Sequence, residues 1–587
     1  MNTEMRRCQN CGGDFPLGAE DAGFYERIHI PQTTFCPRCR LQRRLAVRNE
    51  RNLYRRNCGL CGKSMISMYS SEKPLAVYCH DCWWGDGWDP FQYGREYDFS
   101  KPFFIQYREL LEKVPRPSLI ISTSVNSDYC NYVAGIKNCY LCFGSIAAED
   151  CMYGAPYESK NCVDTYLARE SEFCYECLDC EKLSRCLYCQ DCSNSLNLAV
   201  CFDCKNCQDC IGCVGLRNKK HHIFNKEYSR ESYEAERAKI FSHGRAAFQG
   251  VFQSFDKLKN QFPHRFATTL QCNDVTGDHI VQSKNAKDCF DVKRCEDSRY
   301  CIRMIDGKNT HDTNYCEFME LSYEHIGFWK DASVRFCNTC GESSFIQYSD
   351  FCVGAKDLFG CIGLRKKEYC ILNKQYTKEE YEELIRKITA HMSENPYTDK
   401  MGRVYKYGEF FPIELSPLAY NETLAQEFFP LTREEIEKNG FRWRKVETKD
   451  YKPTVNSYSI PNLISEVGDD ILEEVIECAH QGRCADQCTT AFKILPEELG
   501  FYRQMNVPLP QLCPNCRHFE RLRKRPPFVL HKRACDCGGS SSKSGVYMNS
   551  GKHFHGDRPC PNEFETSYGP ERKEIVYCEQ CYNSEVI

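Results

Sequence analysis

The sequence predicts a mostly β protein with some α-helix, in which two tandem cysteine-paced β-solenoid-like repeats are flanked by duplicated zinc-ribbon or treble-clef pairs. Cysteines in the middle of the chain recur at multiples of three residues, from Cys162 to Cys213 and again from Cys289 to Cys370. Pairs of the form CxxC occur near both ends. A spacing of three differs from the 3.6-residue period of an amphipathic helix, so it indicates a short repeat.

The two cysteine tracts are copies of each other. The segment Cys213–Ile240 aligns without a gap to Cys361–Ile388, at an offset of 148 residues. In a hexapeptide-type β-solenoid, positions i and i+6 both point inward. We therefore expect residues 125–225 and 268–375 to form two similar β-rich coils with cysteines i and i+6 stacked inside.

The central cysteines allow three interpretations. Cysteine is a small, soft hydrophobe, so these thiols can fill a narrow interior. The CxxCxxC tracts beginning at Cys174, Cys186 and Cys201 could instead hold iron–sulfur clusters. The second copy has one CxxC, at Cys337 and Cys340, which argues against a duplicated cluster site. Disulfides are the third alternative.

Composition narrows the class of protein. A chain of 587 residues with a net charge of −4 is expected to hold several domains and to have no global polyelectrolyte role. It shows no signal peptide and no apolar run of about 20 residues, which predicts a cytoplasmic protein without a membrane span. In that compartment its 44 cysteines indicate metal sites or buried thiols before disulfides.

The N-terminal region carries four CxxC pairs. Zinc takes four thiolates in a tetrahedron, and each CxxC turn supplies two of them. A closed set of four thiolates leaves no open position, so these sites are predicted to be structural. The predicted ligands are Cys8, Cys11, Cys36, Cys39, Cys58, Cys61, Cys79 and Cys82.

The C-terminal region repeats the N-terminal one. The stretch GFYERIHIPQTTFCPRCRLQRRL from Gly23 aligns with GFYRQMNVPLPQLCPNCRHFERL from Gly500. The last site departs from the pattern, with CxC in place of CxxC and an insertion carrying His553, His555 and Cys560, any of which could replace a ligand. The ligands predicted by alignment are Cys484, Cys488, Cys513, Cys516, Cys535, Cys537, Cys578 and Cys581. We expect about four zinc ions, or three if the last copy has decayed.

A basic linker lies within each terminal region. Arginine pairs with phosphate through its planar fork, and a basic run beside zinc modules suggests RNA or DNA. The alternative is a solvated helix face, or arginines paired with acids elsewhere in the chain. The candidate nucleic-acid-binding residues are Arg40, Arg43, Arg44, Arg48, Arg51, Arg55, Arg56, Arg517, Arg521, Arg523, Lys524 and Arg525.

Five consecutive regions follow from these patterns. They are a tandem zinc-binding module (1–100), a first cysteine-paced repeat plus helix (101–245), a second repeat plus helix (246–390), a helical linker (391–477) and a second tandem zinc-binding module (478–587).

Three stretches carry a family resemblance. They are CPRCRLQRRLAVRNERNLYRRNCGLCGK, YCHDCWWGDGWDPFQYGREYDFSKPFF and CIGLRKKEYCILNKQY. Together they resemble uncharacterised cysteine-rich bacterial zinc-binding proteins, some of which carry a CaiB/BaiF-type CoA-transferase label. The resemblance covers nearly the full chain and implies zinc binding without an established activity.

The patterns favour a non-enzymatic protein, because no P-loop, GxSxG or HExxH motif is present. We expect a zinc-binding protein that contacts RNA or DNA through its basic linkers and has a rigid repeat centre. The alternatives are an iron–sulfur or metal-handling redox protein that uses the CxxCxxC tracts, and a scaffold for protein partners.

Overall fold

The computed structural model describes residues 3–242, 244–445 and 451–586. The chain forms two compact units, each made of two separate stretches. Unit 1 combines Met1–Leu119 with Ala267–Lys445, and unit 2 combines Ile120–Phe266 with Val446–Ile587. The N-terminal module thus belongs with the second cysteine tract and the C-terminal module with the first. The helical linker predicted at 391–477 is divided between the two units.

In unit 1 the N-terminal module consists of short strands and helices. Its strands are Glu4–Arg7, Asp14–Leu17, Tyr54–Asn57, Ser64–Ser67, Val77–Tyr78 and Arg116–Pro117. Its α-helices are Ala19–Arg27, Pro37–Leu45, His80–Trp84 and Phe103–Leu111, with a 3₁₀ turn at Pro90–Tyr93. The first four strands form two antiparallel hairpins, and each hairpin has a CxxC pair at its turn.

The second cysteine tract of unit 1 forms a 14-stranded sheet, here called the second ladder (Thr269–Gln375). Neighbouring strands are parallel, apart from an antiparallel last pair, and most are offset by twelve residues, as in the pairs Ser344 with Lys356 and Ile346 with Leu358. Its strands are Thr269–Leu270, Gly277–Val281, Lys284–Lys287, Cys289–Lys293, Glu296–Arg299, Ile302–Lys308, His311–Glu320, Tyr323–Trp329, Asp331–Ala332, Asn338–Gly341, Ser344–Gln347, Lys356–Phe359, Glu368–Ile371 and Lys374–Gln375.

The rest of unit 1 follows this ladder. A long helix, Lys378–Glu394, begins at a capping box in which Thr377 accepts from the Glu380 N–H. Short elements then complete the unit. They are the strands Tyr397–Thr398 and Val404–Tyr405, the 3₁₀ turns Ile413–Leu415 and Tyr420–Glu422, and the helices Leu424–Phe428 and Arg433–Lys438.

In unit 2 the first cysteine tract forms a ten-stranded sheet, here called the first ladder (Ile121–Glu227), whose strands pair in chain order. They are parallel, apart from an antiparallel last pair, and most have the same twelve-residue offset. The offset is eleven where Tyr157 pairs with Ile146 and Ala155 pairs with Tyr166. The strands are Ile121–Val125, Asn131–Lys137, Phe143–Ile146, Ala155–Tyr157, Tyr166–Arg169, Glu181–Ser184, Ser193–Ala199, Gln208–Ile211, Lys220–Ile223 and Lys226–Glu227.

The backbone of both ladders changes direction every three residues. Left-handed φ angles recur at this interval, for example at Glu176, Asp179 and Lys182 in the first ladder. Many of these positions are Asn or Asp, which tolerate the left-handed region better than other side chains. The expected hexapeptide spacing is therefore corrected: inward positions recur at every third residue, and residues stack on one another at i+12.

The remainder of unit 2 contains the C-terminal module. Two helices, Arg230–Ser242 and Gly244–Gln261, follow the first ladder. The later strands are Pro263–Arg265, Ile476–Glu477, Ala491–Phe492, His531–Ala534, Glu563–Thr566 and Ile575–Tyr577, and the later helices are Pro496–Met505, Pro514–Arg523 and Glu579–Val586. Three 3₁₀ turns lie at Ser457–Ser459, Ile464–Glu466 and Asp469–Leu472.

Among the described residues, no helix combines the length and the apolar character that crossing a membrane requires.

Candidate metal centres

The first candidate metal centre consists of Cys8, Cys11, Cys36 and Cys39. Cys8 and Cys11 occupy the turn of the first hairpin, where Gly12 has a φ of +70° that a side chain would disfavour. Cys36 is the N-cap of helix Pro37–Leu45, and Cys39 lies in its first turn. Sulfurs of a tetrahedral zinc site lie about 3.8 Å apart, given a Zn–S distance of about 2.3 Å. The Cys11 and Cys36 Sγ atoms are 3.9 Å apart, so the group fits such an ion.

The second centre repeats this design with Cys58, Cys61, Cys79 and Cys82. The Cys61 and Cys79 Sγ atoms are again 3.9 Å apart. Burial opposes ionisation of Cys58, but backbone N–H donors, including those of Cys61 and Cys79, outweigh it and lower its pKa to about 6. Such a thiol is ready to bind a cation as the thiolate.

The third candidate centre contains a cysteine that the alignment did not include. The group is Cys478, Cys488, Cys513 and Cys516, with Cys478 in the place predicted for Cys484. The Cys513 N–H donates to Cys478 Sγ at 3.2 Å, as the Cys36 N–H donates to Cys8 Sγ at 3.3 Å. Cys478 is therefore the counterpart of Cys8. Cys484 stays close, with its Sγ 3.6 Å from that of Cys516.

The fourth centre also exchanges one predicted ligand. Its thiols are Cys535, Cys560, Cys578 and Cys581, with Cys560 in the place predicted for Cys537. The Cys560 and Cys578 Sγ atoms lie 3.9 Å apart, the same separation as in the Cys61–Cys79 pair. Cys560 was among the alternatives that the insertion offered. A further group, Cys537, His553, His555 and Cys581, lies beside it and shares Cys581.

The helix that follows the first centre buries its arginines. Arg40 and Arg44 both pair with Asp312 of the second ladder, at 2.7 and 3.1 Å. Arg43 donates to Glu324 at 2.8 Å, and its guanidinium lies over the Phe35 ring. Burial would lower the pKa of Arg40, but its neighbours, with Asp312 first among them, together outweigh burial and raise it.

The corresponding helix of unit 2 makes the same contacts with the first ladder. Arg517 and Arg521 both pair with Asp164, at 2.8 and 3.0 Å. Arg521 also donates to Glu176, and Arg525 donates to Asp179, both at 2.8 Å. In each unit the helix that begins at a cysteine of a candidate metal centre thus fastens the terminal module to a ladder.

These contacts decide where most of the candidate nucleic-acid residues lie. Arg40, Arg43, Arg44, Arg48, Arg517, Arg521 and Arg525 are buried, so their guanidinium groups are not presented to phosphate. Arg48 donates to Glu50 at 2.7 Å. Arg51 and Arg56 are half-buried, and Arg56 donates to the carbonyls of Ser70 and Leu75. Arg55, Arg523 and Lys524 are exposed, although Arg523 also pairs with Asp486.

The cysteines of the ladders are buried thiols, apart from half-exposed Cys272. A cluster of 16 of them, from Cys130 to Cys213, forms most of the interior of the first ladder. Each thiol donates to nearby carbonyls, as Cys180 Sγ does to the Leu178 and Cys189 oxygens at 3.2 and 3.6 Å. In the second ladder, burial raises the pKa of Cys352 and Cys361 well above the ordinary value. All these cysteines are free of disulfides.

Sequence reasoning missed two features of these sites. Cys478 was visible as a cysteine but stands outside the aligned spacing, because nine residues separate it from Cys488 and two separate Cys8 from Cys11. The carboxylate partners of the arginines lie in the ladders, hundreds of residues away in the chain. Their offset of 148 residues, which relates Asp164 to Asp312 and Glu176 to Glu324, was the available signal.

Comparisons with known proteins do not assign the chain to a family. No family model and no curated protein matches the chain. Among solved structures, one similar chain is described as an acetyltransferase from Desulfovibrio desulfuricans G20, at 11% identity. The match covers 46% of this chain and 86% of that chain with a TM-score of 0.10. A similarity at that score carries no argument about fold or function.

Proposed function

We propose that this protein is a non-enzymatic zinc-binding scaffold, in which metal-held modules are fastened to two rigid repeat bodies. The observation that carries the proposal is that each unit combines two four-cysteine groups with a helix of buried arginines paired to a ladder. All of these parts serve to hold backbone segments together. Four thiolates fill a tetrahedral shell, so these groups offer no open coordination position for substrate.

Zinc is the metal that this ligand chemistry favours. Sets of four soft thiolates in tetrahedral arrangement suit zinc or iron. The CxxC turn paired with a second CxxC at a helix start is typical of structural zinc modules. Such sites contribute to folding directly, because the ligands are not assembled in the unfolded chain.

We infer further that the two ladders are β-solenoids with twelve-residue coils and four sides of three residues each. Parallel pairing at an offset of twelve and a left-handed residue at every third position support this geometry. A coil with sides of three residues has a narrow interior, which suits small side chains. Cysteine, serine and alanine at the inward positions fit that space.

Nucleic-acid binding remains a second proposal, with fewer candidate residues than the sequence suggested. Buried ion pairs occupy most of the candidate arginines, which leaves the exposed cations Arg55, Arg523 and Lys524 to contact phosphate. A scaffold that binds only protein partners does not require these three exposed cations. Binding of labelled RNA and DNA at low salt, compared between the wild type and a triple alanine variant of these residues, separates the two. Loss of binding in the variant supports nucleic acid, and no binding in either supports a protein scaffold.

The zinc proposal is tested by elemental analysis and absorbance of freshly purified protein. We expect zinc, little iron and no visible colour. The variant Cys36→Ser should lose one zinc ion and unfold the N-terminal module. The matched control Cys180→Ser, inside the first ladder, should lose none. Brown protein with stoichiometric iron would instead support the iron–sulfur alternative, and protein without any metal would refute the proposal.

A further inference from the structure

The C-terminal module holds more potential ligands than one ion requires. The groups Cys535, Cys560, Cys578, Cys581 and Cys537, His553, His555, Cys581 share one sulfur, and the ligand atoms within each group lie within 4.8 Å of one another. All seven side chains are buried. We propose that this cluster binds two zinc ions bridged by the Cys581 thiolate. The inference rests on the zinc binding proposed above and adds a fifth ion to the four thiolate sites.

The first histidine is oriented as a ligand. His555 Nδ1 lies 2.6 Å from the Arg558 carbonyl oxygen. A carbonyl only accepts, so Nδ1 carries the proton and Nε2 keeps a free lone pair. That lone pair lies beside the shared sulfur, 3.2 Å from Cys581 Sγ. The ring therefore presents a metal-binding nitrogen at the bridging ligand.

In the second histidine the two ring nitrogens have the opposite roles. His553 Nε2 lies 2.7 Å from Glu585 Oε1, so its Nδ1 remains for a metal. This Nδ1 is 3.7 Å from Cys537 Sγ, close to the edge length of a zinc tetrahedron. A carboxylate that holds the far nitrogen is the usual support of a zinc-bound histidine, because it fixes the tautomer and the ring.

Glu585 also fixes the loop that carries His553. Its carboxylate accepts from the backbone N–H groups of Ser550 and Gly551, at 2.8 and 3.0 Å. At Gly551 a side chain would collide with the Ser584 carbonyl, 1.9 Å from the added carbon. The loop thus lies directly against the C-terminal helix, and both histidines are placed before any ion binds.

The duplicated module provides an internal comparison. At the offset of 477 residues that relates the two copies, Cys537 corresponds to Leu60, an exposed residue of the second centre. The second centre also has no counterpart of the inserted loop that carries the histidines. Cys537 and the loop with His553 and His555 are thus additions specific to the C-terminal copy, and they lie together around the shared sulfur.

Charge also favours a second ion. One dication held by four thiolates carries a formal charge of −2, whereas two dications with five thiolates and two neutral imidazoles carry about −1. A buried site of smaller net charge costs less desolvation. A sulfur about 2.3 Å from each of two zinc ions keeps those ions less than about 4.6 Å apart, a distance that X-ray absorption can detect.

The test uses the intact chain, loaded with zinc or with cadmium-113. We expect the double variant His553→Ala/His555→Ala to contain one zinc ion fewer than the wild type, while the neighbouring control Lys552→Ala keeps the full content. The cadmium spectrum of the wild type should show two resonances joined by scalar coupling through the bridging sulfur. The double variant should lose one of them and leave the other uncoupled.

The role of Glu585, which positions His553, can be measured separately. The variant Glu585→Gln keeps the shape of the side chain. It should lower the affinity for one zinc ion by about 10- to 100-fold and leave the affinity for the other ions unchanged. Equal zinc content in wild type and double variant, together with uncoupled cadmium resonances, would overturn the bridged pair and leave the four-thiolate sites standing. A wild type free of zinc would overturn the proposed function instead.

Discussion

At the scale of single residues, cysteine and serine make the same hydrogen bonds in the ladder interior. Ser159 occupies an inward position, and its hydroxyl donates to the Tyr157 and Ala168 carbonyls at 2.8 and 3.2 Å. Cys180 donates to the carbonyls at the same two relative positions. The interior therefore requires a small side chain with one donor, and either residue satisfies the local carbonyls.

This equivalence gives a prediction for Cys180. Cys180→Ser should lower the free energy of unfolding by about 1 kcal/mol, because the hydroxyl finds the same acceptors. Cys180→Asp should cost more than about 4 kcal/mol, because it places an unpaired charge in a dry interior. Urea unfolding followed by circular dichroism measures both. A serine variant as damaged as the aspartate variant would show that the thiol does more than fill space.

Lys259 gives a prediction about pH. Burial lowers the pKa of this ammonium group to about 8, although its Nζ donates to Gln190 and lies over the Phe202 ring. In the unfolded chain the group titrates near 10.4, so the unfolded state binds more protons between about pH 8 and 10.4. The charged lysine therefore destabilises unit 2 below that window, and the cost is relieved as pH rises through it.

Lys259→Met should accordingly raise the midpoint of urea unfolding at pH 7, and its advantage over the wild type should shrink from pH 8 toward pH 10. The exposed neighbour Lys257 provides the control, since Lys257→Met should leave the pH profile unchanged. An advantage that stays constant with pH would mean that Lys259 does not titrate in this range.

At the scale of elements, the arginine helices explain why the metal modules and ladders form single units. Helix Pro37–Leu45 starts at Cys36, so its first turn lies at the first four-cysteine group. Its arginines then reach Asp312 and Glu324 on the second ladder. Because both partners of each ion pair are buried, removal of one leaves an uncompensated charge.

We predict that Asp312→Ala destabilises unit 1 and Asp164→Ala destabilises unit 2, each by about 3–5 kcal/mol. The exposed Arg55→Ala is the control and should change stability by less than about 0.5 kcal/mol. Denaturant unfolding with the metal content monitored measures these effects. If both aspartate variants behaved like the control, the ion pairs would not hold the modules to the ladders.

At the scale of the whole molecule, the two units are related by duplication with a change of chain order. Unit 1 takes its metal module from before its ladder, and unit 2 takes its module from after its ladder. The same contacts recur at matched positions, since Arg44 with Asp312 corresponds to Arg521 with Asp164. The second unit thus resembles a circular permutation of the first.

This architecture predicts two classes of thiol. Ladder cysteines should resist alkylation in the native state, because they are buried and burial raises the pKa of thiols such as Cys361. Half-exposed Cys272 is the exception and should react first among the ladder cysteines. Pulsed alkylation read by mass spectrometry should also show that a chelator exposes the terminal cysteines before the ladder ones. Rapid native labelling of Cys189 would contradict a closed interior.

Local patterns in the sequence were enough to predict the cysteine groups at both ends of the chain and the β-rich repeats between them. A CxxC turn places two cysteines within one short loop, so most members of the four-cysteine groups were predictable without tertiary contacts. The three-residue period indicated a β-rich repeat, because the inward positions of a coil are set by its own backbone. The distance along the chain between stacked residues was not predictable, since only pairing between neighbouring strands shows the offset of twelve.

The tertiary structure decided which parts belong together. Cys478 and Cys560 joined the four-cysteine groups because chain segments of irregular length bring their sulfurs into place, and alignment at constant spacing cannot measure that. The arginines of both linkers became buried ion pairs because carboxylates distant in the chain lie opposite them. Charge and spacing identify arginine as a partner for some anion. Whether that anion is a phosphate or a carboxylate of the same chain depends on long-range packing, which only the folded structure supplies.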